Sequence, residues 1–306
     1  MALRNEIKPV LKWVGGKTQI LSELFSRFPP TMVNYHEPFL GGGSVLLGLL
    51  TRMQEGQLQC SGRIYASDLN PALIGLYCVL QSHLEDFLAE LRPLQHEFSS
   101  CREEPVQRAP RTKKEAMGNR ESYYYYCRAR FNALTPAQRT APLGAALFLF
   151  LNKTGFRGVY REGPHGLNVP YGHYANPGIF EEEHLRAVSE LIQPVVFCAQ
   201  PWDAALSLVQ SGDMVYLDPP YAPEKDTSFV SYTSQGFPRE QHTQLFTRCH
   251  ELTAQDIRWM MSNADVPLVR DAFPLPYSTT VLSCRRTIHS KKPDSKTNEV
   301  LIQSQA

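Results

Sequence analysis

The sequence predicts an α/β fold with a second segment inserted into it. Short apolar runs alternate with amphipathic stretches along most of the 306 residues, which is the pattern of strands laid between helices. Each apolar run is short and bounded by Gly, Asp, Pro or Asn, as buried strands are. The alternation then stops between residues 81 and 179. The expected organisation is one sheet-bearing domain, residues 1–80 and 180–306, interrupted by a second domain at 81–179.

Taken in order, Val45–Leu50 reads as an apolar helix behind a glycine run, and Ile64–Ala66 as a buried strand. Pro71–Leu80 reads as a helix, with Asn70 as its cap and Pro71 preset for the first helical position. The inserted stretch holds an Arg-rich piece, Cys101–Arg120, and a tyrosine run, Tyr123–Tyr126, that covers all sides of a helix, so at least two of its rings should be packed. Asn152–Gly178 follows, turn-rich with interleaved aromatics and arginines, a pattern of binding surface more than of core. Val195–Cys198, Met214–Leu217 and Trp259–Met261 read as further strands, and Trp202–Val209 and Arg239–Leu252 as helices. Ser278–Ser283 and Glu299–Gln303 are expected to pair as a hairpin across a basic loop.

Composition narrows the function classes. Lys and Arg number 31 against 30 Asp and Glu, so overall charge names no polyanionic partner. Local bias does: Cys101–Arg130 carries eight Lys/Arg against four Glu, and Arg285–Lys296 five against one Asp. Either segment alone reads equally as a solvated loop; two of them flanking a catalytic signature lean toward phosphate contact. No apolar run is long enough to span a bilayer, and the first residues carry charge where a secretory signal needs an apolar core, so a cytoplasmic protein is expected. Seven scattered cysteines form no CxxC pair, and none of the nine histidines has metal-ligand spacing; no metal is expected.

Three motifs carry chemistry. Asp218-Pro219-Pro220-Tyr221 follows the strand Met214–Leu217, and open parallel sheets bind ligands at the carboxyl ends of their strands. A carboxylate, a rigid turn with a free carbonyl and an aromatic face suit the exocyclic amine of a flat base. Asp218 and the Pro219 carbonyl can accept its two N–H groups while Tyr221 stacks on the ring. The competing reading is an ordinary Asp-Pro-Pro turn with a packed tyrosine. The second motif, Glu37-Pro38-Phe39-Leu40-Gly41-Gly42-Gly43-Ser44, opens a helix with glycines that allow close approach to the backbone. Asp68 lies roughly two dozen residues on, the usual distance for an acid that holds ribose hydroxyls. The third is Lys12-Trp13-Val14-Gly15-Gly16-Lys17-Thr18. Its GGKT resembles a phosphate loop, but that motif needs Gly where this chain has Leu11, so ATP binding is discounted.

These segments, in this order, resemble the Dam-like (class alpha, D12 type) DNA adenine-N6 methyltransferases. LKWVGGK, EPFLGGGSV, SDLNPALI and DPPY are similar to the family's cofactor, ribose and catalytic motifs. YYYYCRARFN, LNKTGFRGVYR, NVPYGHY, NPGIF, FVSYTSQGF, MSNAD and NEVLI also fit. The resemblance implies a Rossmann-like, S-adenosylmethionine-dependent methyltransferase sheet with an inserted, mainly helical target-recognition domain. It implies that Trp13, Lys17, Glu37, Phe39, Gly41, Gly43, Ser44, Asp68, Trp202 and Asp218 surround the cofactor. Asp218, Pro219, Pro220 and Tyr221 would hold a flipped-out adenine, since a stacked base cannot present its amine. Lys12, Phe156, Arg157, Val159, Arg161 and Pro170 would contact double-stranded DNA, Phe156 as a wedge and Arg161 as a guanine reader, probing GATC. A separate cognate restriction endonuclease and a monomeric state are further expectations. The chain departs from the pattern at Pro201, which precedes Trp202 where some relatives have an acid; Asp203 follows instead. Arg157 stands where relatives often have Asn, and Cys101–Arg120 is longer than usual. A nicotinamide-dependent oxidoreductase would need GxGxxG after its first strand, and the sequence lacks it. Methylation of cytosine N4, which more often uses Ser at the Asp218 position, and a DNA-binding relative without turnover remain as alternatives.

Overall fold

A computed structural model describes residues 7–223, 237–285 and 296–304. FVSYTSQGF up to residue 236, and residues 286–295 of the second basic segment, lie outside the described residues. The chain forms two compact units: residues 17–40, 48–69 and 194–306 make one, and residues 1–16, 41–47 and 70–193 the other.

The first unit is built on a seven-stranded sheet, with β1 (Tyr35–Glu37), β2 (Ile64–Asp68), β3 (Val195–Ala199), β4 (Met214–Leu217), β5 (Arg258–Ala264), β6 (Ser278–Arg285) and β7 (Lys296–Gln303). Their spatial order is β3-β2-β1-β4-β5-β7-β6. The five strands from β3 to β5 are parallel; β7 runs antiparallel to β5, and β6 to β7. The fold is therefore mixed α/β with a mainly parallel central sheet. The four residues of β4 are all buried, as a strand covered on both faces requires. β5 and β7 add Trp259, Met261, Val300 and Ile302 to a core that also takes Leu245, Phe246 and Cys249 from the helix Arg239–Ala254.

β1 is a strand that apolar patterning does not disclose, since it reads Tyr-His-Glu. It sits in the middle of the sheet because its polar atoms are met from within. His36 Nε2 lies 2.8 Å from Asp213 Oδ2, and Asp213 Oδ1 accepts from the backbone and side-chain N–H groups of Asn34 at 3.0 and 2.8 Å. Tyr35 donates its hydroxyl to Glu37 Oε2 at 2.7 Å. A buried polar strand costs little when each group is so satisfied.

The second unit is mainly helical. Pro71–Ser82 begins where the Asn70 side chain accepts from the N–H groups of Ala72 and Leu73. Leu84–Ser99, Arg120–Ala133, Pro142–Thr154 and Glu182–Leu191 complete its long helices. Tyr123 and Tyr124 are fully buried, while Tyr125 and Tyr126 are half-buried. Phe150 packs edge-on against both Phe98 and Tyr123, which are tilted to each other. Asn152 and Lys153, read from sequence as the start of a turn-rich segment, instead finish the apolar helix Pro142–Thr154, because its register carries on to Thr154, whose hydroxyl donates back to the Phe150 carbonyl. No helix among the described residues is long and apolar enough to cross a membrane.

Candidate functional site

Three carboxylates close one edge of the sheet. Glu37 ends β1, Asp68 ends β2, and Asp218 follows β4. β1 lies between β2 and β4, the point where the strand order reverses, which in open α/β sheets opens a crevice for ligand. Asp218 keeps 20% side-chain exposure and pairs at 2.8 Å with the Lys17 ammonium, itself only 3% exposed. Burial raises the Asp218 carboxyl above the ordinary carboxylate range; Lys17 pulls it back down, and the charge of Glu299 adds to the rise. Burial pushes Glu37 up to about 8, opposed by the Tyr35 hydroxyl; Asp218 adds to the rise and Lys17 opposes it.

Tyr221 extends from the Pro219-Pro220 turn and donates its hydroxyl to Glu299 Oε2 on β7 at 2.9 Å. The Lys17 ammonium stands 5.0 Å from its ring centroid. One residue on, the Ala222 N–H donates to Asn263 Oδ1 of β5 at 3.0 Å. Phe39 is half-buried and packs edge-on against Phe237. Trp202 opens the short helix Trp202–Leu206 and rests against the apolar core, while the exposed Asp203 carboxylate caps its own neighbour, Ala204 N–H, at 2.9 Å. These acceptors fit a nucleoside with a cationic sulfur: Asp68 for ribose hydroxyls, and carboxylates beside a positive centre.

In the helical unit the glycine turn is built for close approach. Gly41 and Gly43 have φ of 50° and 72°, which side chains rarely tolerate, and a Cβ on Gly42 would lie 2.8 Å from the Trp13 Cβ. Trp13 stacks on Tyr160, centroids 6.2 Å apart, and the Tyr77 hydroxyl donates to the Gly42 carbonyl at 2.7 Å. Ser44, 7% exposed, follows as the first residue of the helix Ser44–Gln54.

The same unit gathers most of the candidate DNA contacts. Asn152 is the clasp: its side chain accepts from Lys12 N–H at 2.9 Å and donates to the carbonyls of Lys12 and Gly158 at 2.8 and 3.1 Å. The Lys12 ammonium donates to the Lys153 carbonyl at 3.2 Å and sits 4.0 Å from the Tyr174 ring centroid. The Tyr174 hydroxyl accepts from Arg157 N–H at 2.8 Å, and Phe156 N–H donates to the Pro170 carbonyl at 2.9 Å. Arg157 takes a left-handed φ of 57°, where a non-glycine residue is held only by its surroundings. Phe156 is 45% exposed, a large apolar ring offered outward. Val159 is half-buried, and Arg161 is exposed with its Nε held by Asn168 Oδ1 at 2.7 Å.

The first basic segment is less free for phosphate than its charge count implies. Arg102 pairs with Glu104 at 2.7 Å, Arg108 with Glu121 at 3.3 Å, and Lys113 with Glu97. Arg128 donates to the Val169 carbonyl at 2.8 Å. Part of the surplus thus holds the unit together. Sequence reading also missed Glu299, Asn263 and Asn152 as working residues. The signal for Glu299 was there, an acid opening the apolar run Val300–Ile302, but its partner is 78 residues away.

The sequence pattern of the D12 class N6 adenine-specific DNA methyltransferase family matches residues 13–288. The chain is 35% identical over 266 residues to the type II methyltransferase M.MjaIII of Methanocaldococcus jannaschii, covering 85% of each chain. It is 30% identical to the retron Ec67 DNA adenine methylase of Escherichia coli, covering 96% of this chain and 90% of that one. It is also 30% identical to the DNA adenine methylase of Salmonella typhi, with 95% and 93% covered.

Proposed function

The chain belongs to the D12 class of N6 adenine-specific DNA methyltransferases, and from that premise we propose that the Asp218–Tyr221 turn takes a single adenine flipped out of duplex DNA, within GATC. The observation that carries this reading is the cluster of Lys17, Asp218, Tyr221 and Glu299 at the carboxyl edge of the sheet.

Asp218 and the Pro219 carbonyl accept the two N–H groups of the adenine amine, which turns the nitrogen lone pair away from them. Pro219 and Pro220 hold that geometry rigid, because each ring fixes its own φ. Tyr221 stacks on the base. Asp218, raised by burial, is suited to take the proton that N6 must lose. S-adenosylmethionine, when bound, supplies an electrophilic methyl group on a cationic sulfur. The residues that would hold it are Asp68 at the ribose, Glu37 and Lys17 near the charge, Phe39 and Trp202 as apolar walls, and Trp13, Gly41, Gly43 and Ser44 along the glycine turn.

The helical segment, residues 81–179 with Lys12, serves target recognition. Phe156 enters the duplex as a wedge, Arg161 reads a guanine edge, and Lys12, Arg157, Val159 and Pro170 complete the contacts; an arginine–guanine pair is worth about 1–3 kcal/mol of discrimination. The enzyme acts as a monomer in the cytoplasm. The match to a type II methyltransferase supports a role opposite a separate restriction endonuclease.

Purified protein, labelled S-adenosylmethionine and duplex DNA test this directly. Nucleoside analysis should return N6-methyladenine, and methylation-sensitive sequencing should return GATC. N4-methylcytosine, or methylation spread over unrelated sites, would reject the respective part.

A further inference from the structure

We propose that Glu299 is a positioning residue for the target base, acting through Tyr221; this rests on the reading of Tyr221 as the stacking ring. Tyr221 has little backbone freedom. Two prolines precede it, and Asn263 Oδ1 holds the N–H of Ala222 immediately after it at 3.0 Å. What stays adjustable is rotation of the side chain, and Glu299 removes it by accepting the phenol hydroxyl at 2.9 Å. A ring held at both its root and its tip stands ready for a base without the entropy loss of ordering it on binding.

Strand order makes this contact possible. β7 pairs with β5 in a register that sets Glu299 opposite Ala264, beside Asn263, so both anchors of the Tyr221 segment stand on adjacent strands. The buried neighbours Val300, Leu301 and Ile302 supply the packing of β7, all at 2% exposure or less. Glu299 is half-buried, and its carboxylate accepts the Tyr221 hydroxyl. Its charge also bears on Asp218, on the side opposite in sign to the Lys17 ammonium. The base amine and the base ring are thus served by one connected set: Asp218, Lys17, Tyr221 and Glu299.

The test compares Glu299→Ala, Glu299→Gln, Tyr221→Phe and the double variants by steady-state methyl transfer to duplex DNA, with thermal unfolding measured alongside. Glu299→Ala should lower kcat/KM about tenfold, the worth of one hydrogen bond to a charged acceptor, with the loss in KM for DNA more than in kcat. Glu299→Gln keeps an acceptor oxygen and should restore activity to within about threefold of the wild type. In the Tyr221→Phe background, which has no hydroxyl to hold, Glu299→Ala should add almost nothing. The inference falls if Glu299→Ala keeps wild-type kcat/KM, if it costs as much in the Tyr221→Phe background, or if Gln is as damaging as Ala. Should the Ala variant fail to fold, Tyr221→Phe carries the test from the other side: it removes the donated hydroxyl and should itself lower kcat/KM about tenfold, and wild-type kcat/KM there overturns the inference. Tyr221→Ala separates the layers: if it retains full activity, the stacking reading itself fails, whereas loss there with unchanged Glu299 variants removes only this inference.

Discussion

Asp218→Ala perturbs stability as well as chemistry, and the structure sets the size. Lys17 is 3% exposed and its Nζ lies 2.8 Å from the carboxylate. At an effective dielectric constant of about 20 the gross attraction over that distance is roughly 6 kcal/mol. Desolvation of both ions cancels much of it in the native protein, and the 20% exposure of Asp218 admits water. Removing the acid leaves the ammonium buried without this counter-charge, so we expect a loss of about 3 kcal/mol. Lys17→Met should cost less, because the Asp218 carboxyl, already raised by burial, can take up a proton and go neutral. The double variant Lys17→Met/Asp218→Ala should therefore recover much of what Asp218→Ala loses. Urea unfolding followed by tryptophan fluorescence reads this, since Trp259 is 1% exposed in the core of the same unit. A stable Asp218→Ala protein, or strictly additive losses in the double variant, would refute the pairing argument. Methyl transfer should vanish in Asp218→Ala while DNA binding persists; transfer at the wild-type rate would remove Asp218 as the amine acceptor.

Glu37, pushed up to about 8 by burial, is mostly protonated at neutral pH, and a cation bound beside it lowers that value. Calorimetry of S-adenosylmethionine binding near pH 7, in buffers of different ionisation enthalpy, should register proton release approaching about one per site; no release would separate Glu37 from the cofactor. Burial depresses His242 to about 4, so the unfolded chain binds this proton first as pH falls. Stability should drop between pH 6.5 and about 4 by up to about 3 kcal/mol, and His242→Phe should flatten that part of the profile; an unchanged slope in denaturation midpoints would count against it. Arg161→Ala should relax site choice by a few-fold to a hundredfold at one position, read in the methylation map, about 1–3 kcal/mol in discrimination. An identical map would take Arg161 out of base reading.

Much of this protein was legible from its residues alone. Met214–Leu217 was bounded as a strand to the residue, because four apolar residues end at Asp-Pro-Pro, where a strand must stop. The Asn70-Pro71 cap and the terminal hairpin likewise follow from local rules, since capping and alternation act over a few residues. The strand expected to be buried over Val195–Cys198 runs on to Ala199 and, as the edge strand of the sheet, leaves Val196, Cys198 and Ala199 exposed. Asp68 stands out by its distance from the glycine run, Asp218 by its place after a strand, and Glu37 only through the family resemblance; the structure puts all three at the carboxyl ends of β1, β2 and β4.

What the linear chain determined is therefore the inventory: which groups exist, and which short stretches become strands and helices. Only the tertiary structure decided their partners. β1 escapes apolar patterning because Tyr35, His36 and Glu37 look solvated until the fold buries them, with Tyr35 donating to Glu37 and His36 meeting Asp213, distant in sequence. The resemblance puts Lys17 beside the cofactor, and only the fold shows that it also pairs with Asp218; Glu299 reaches Tyr221 only because β7 inserts between β5 and β6. Local propensity is short-ranged, whereas burial of a charge or a hydroxyl is balanced by whichever distant group the strand order delivers, and no pattern of neighbours along the chain encodes that.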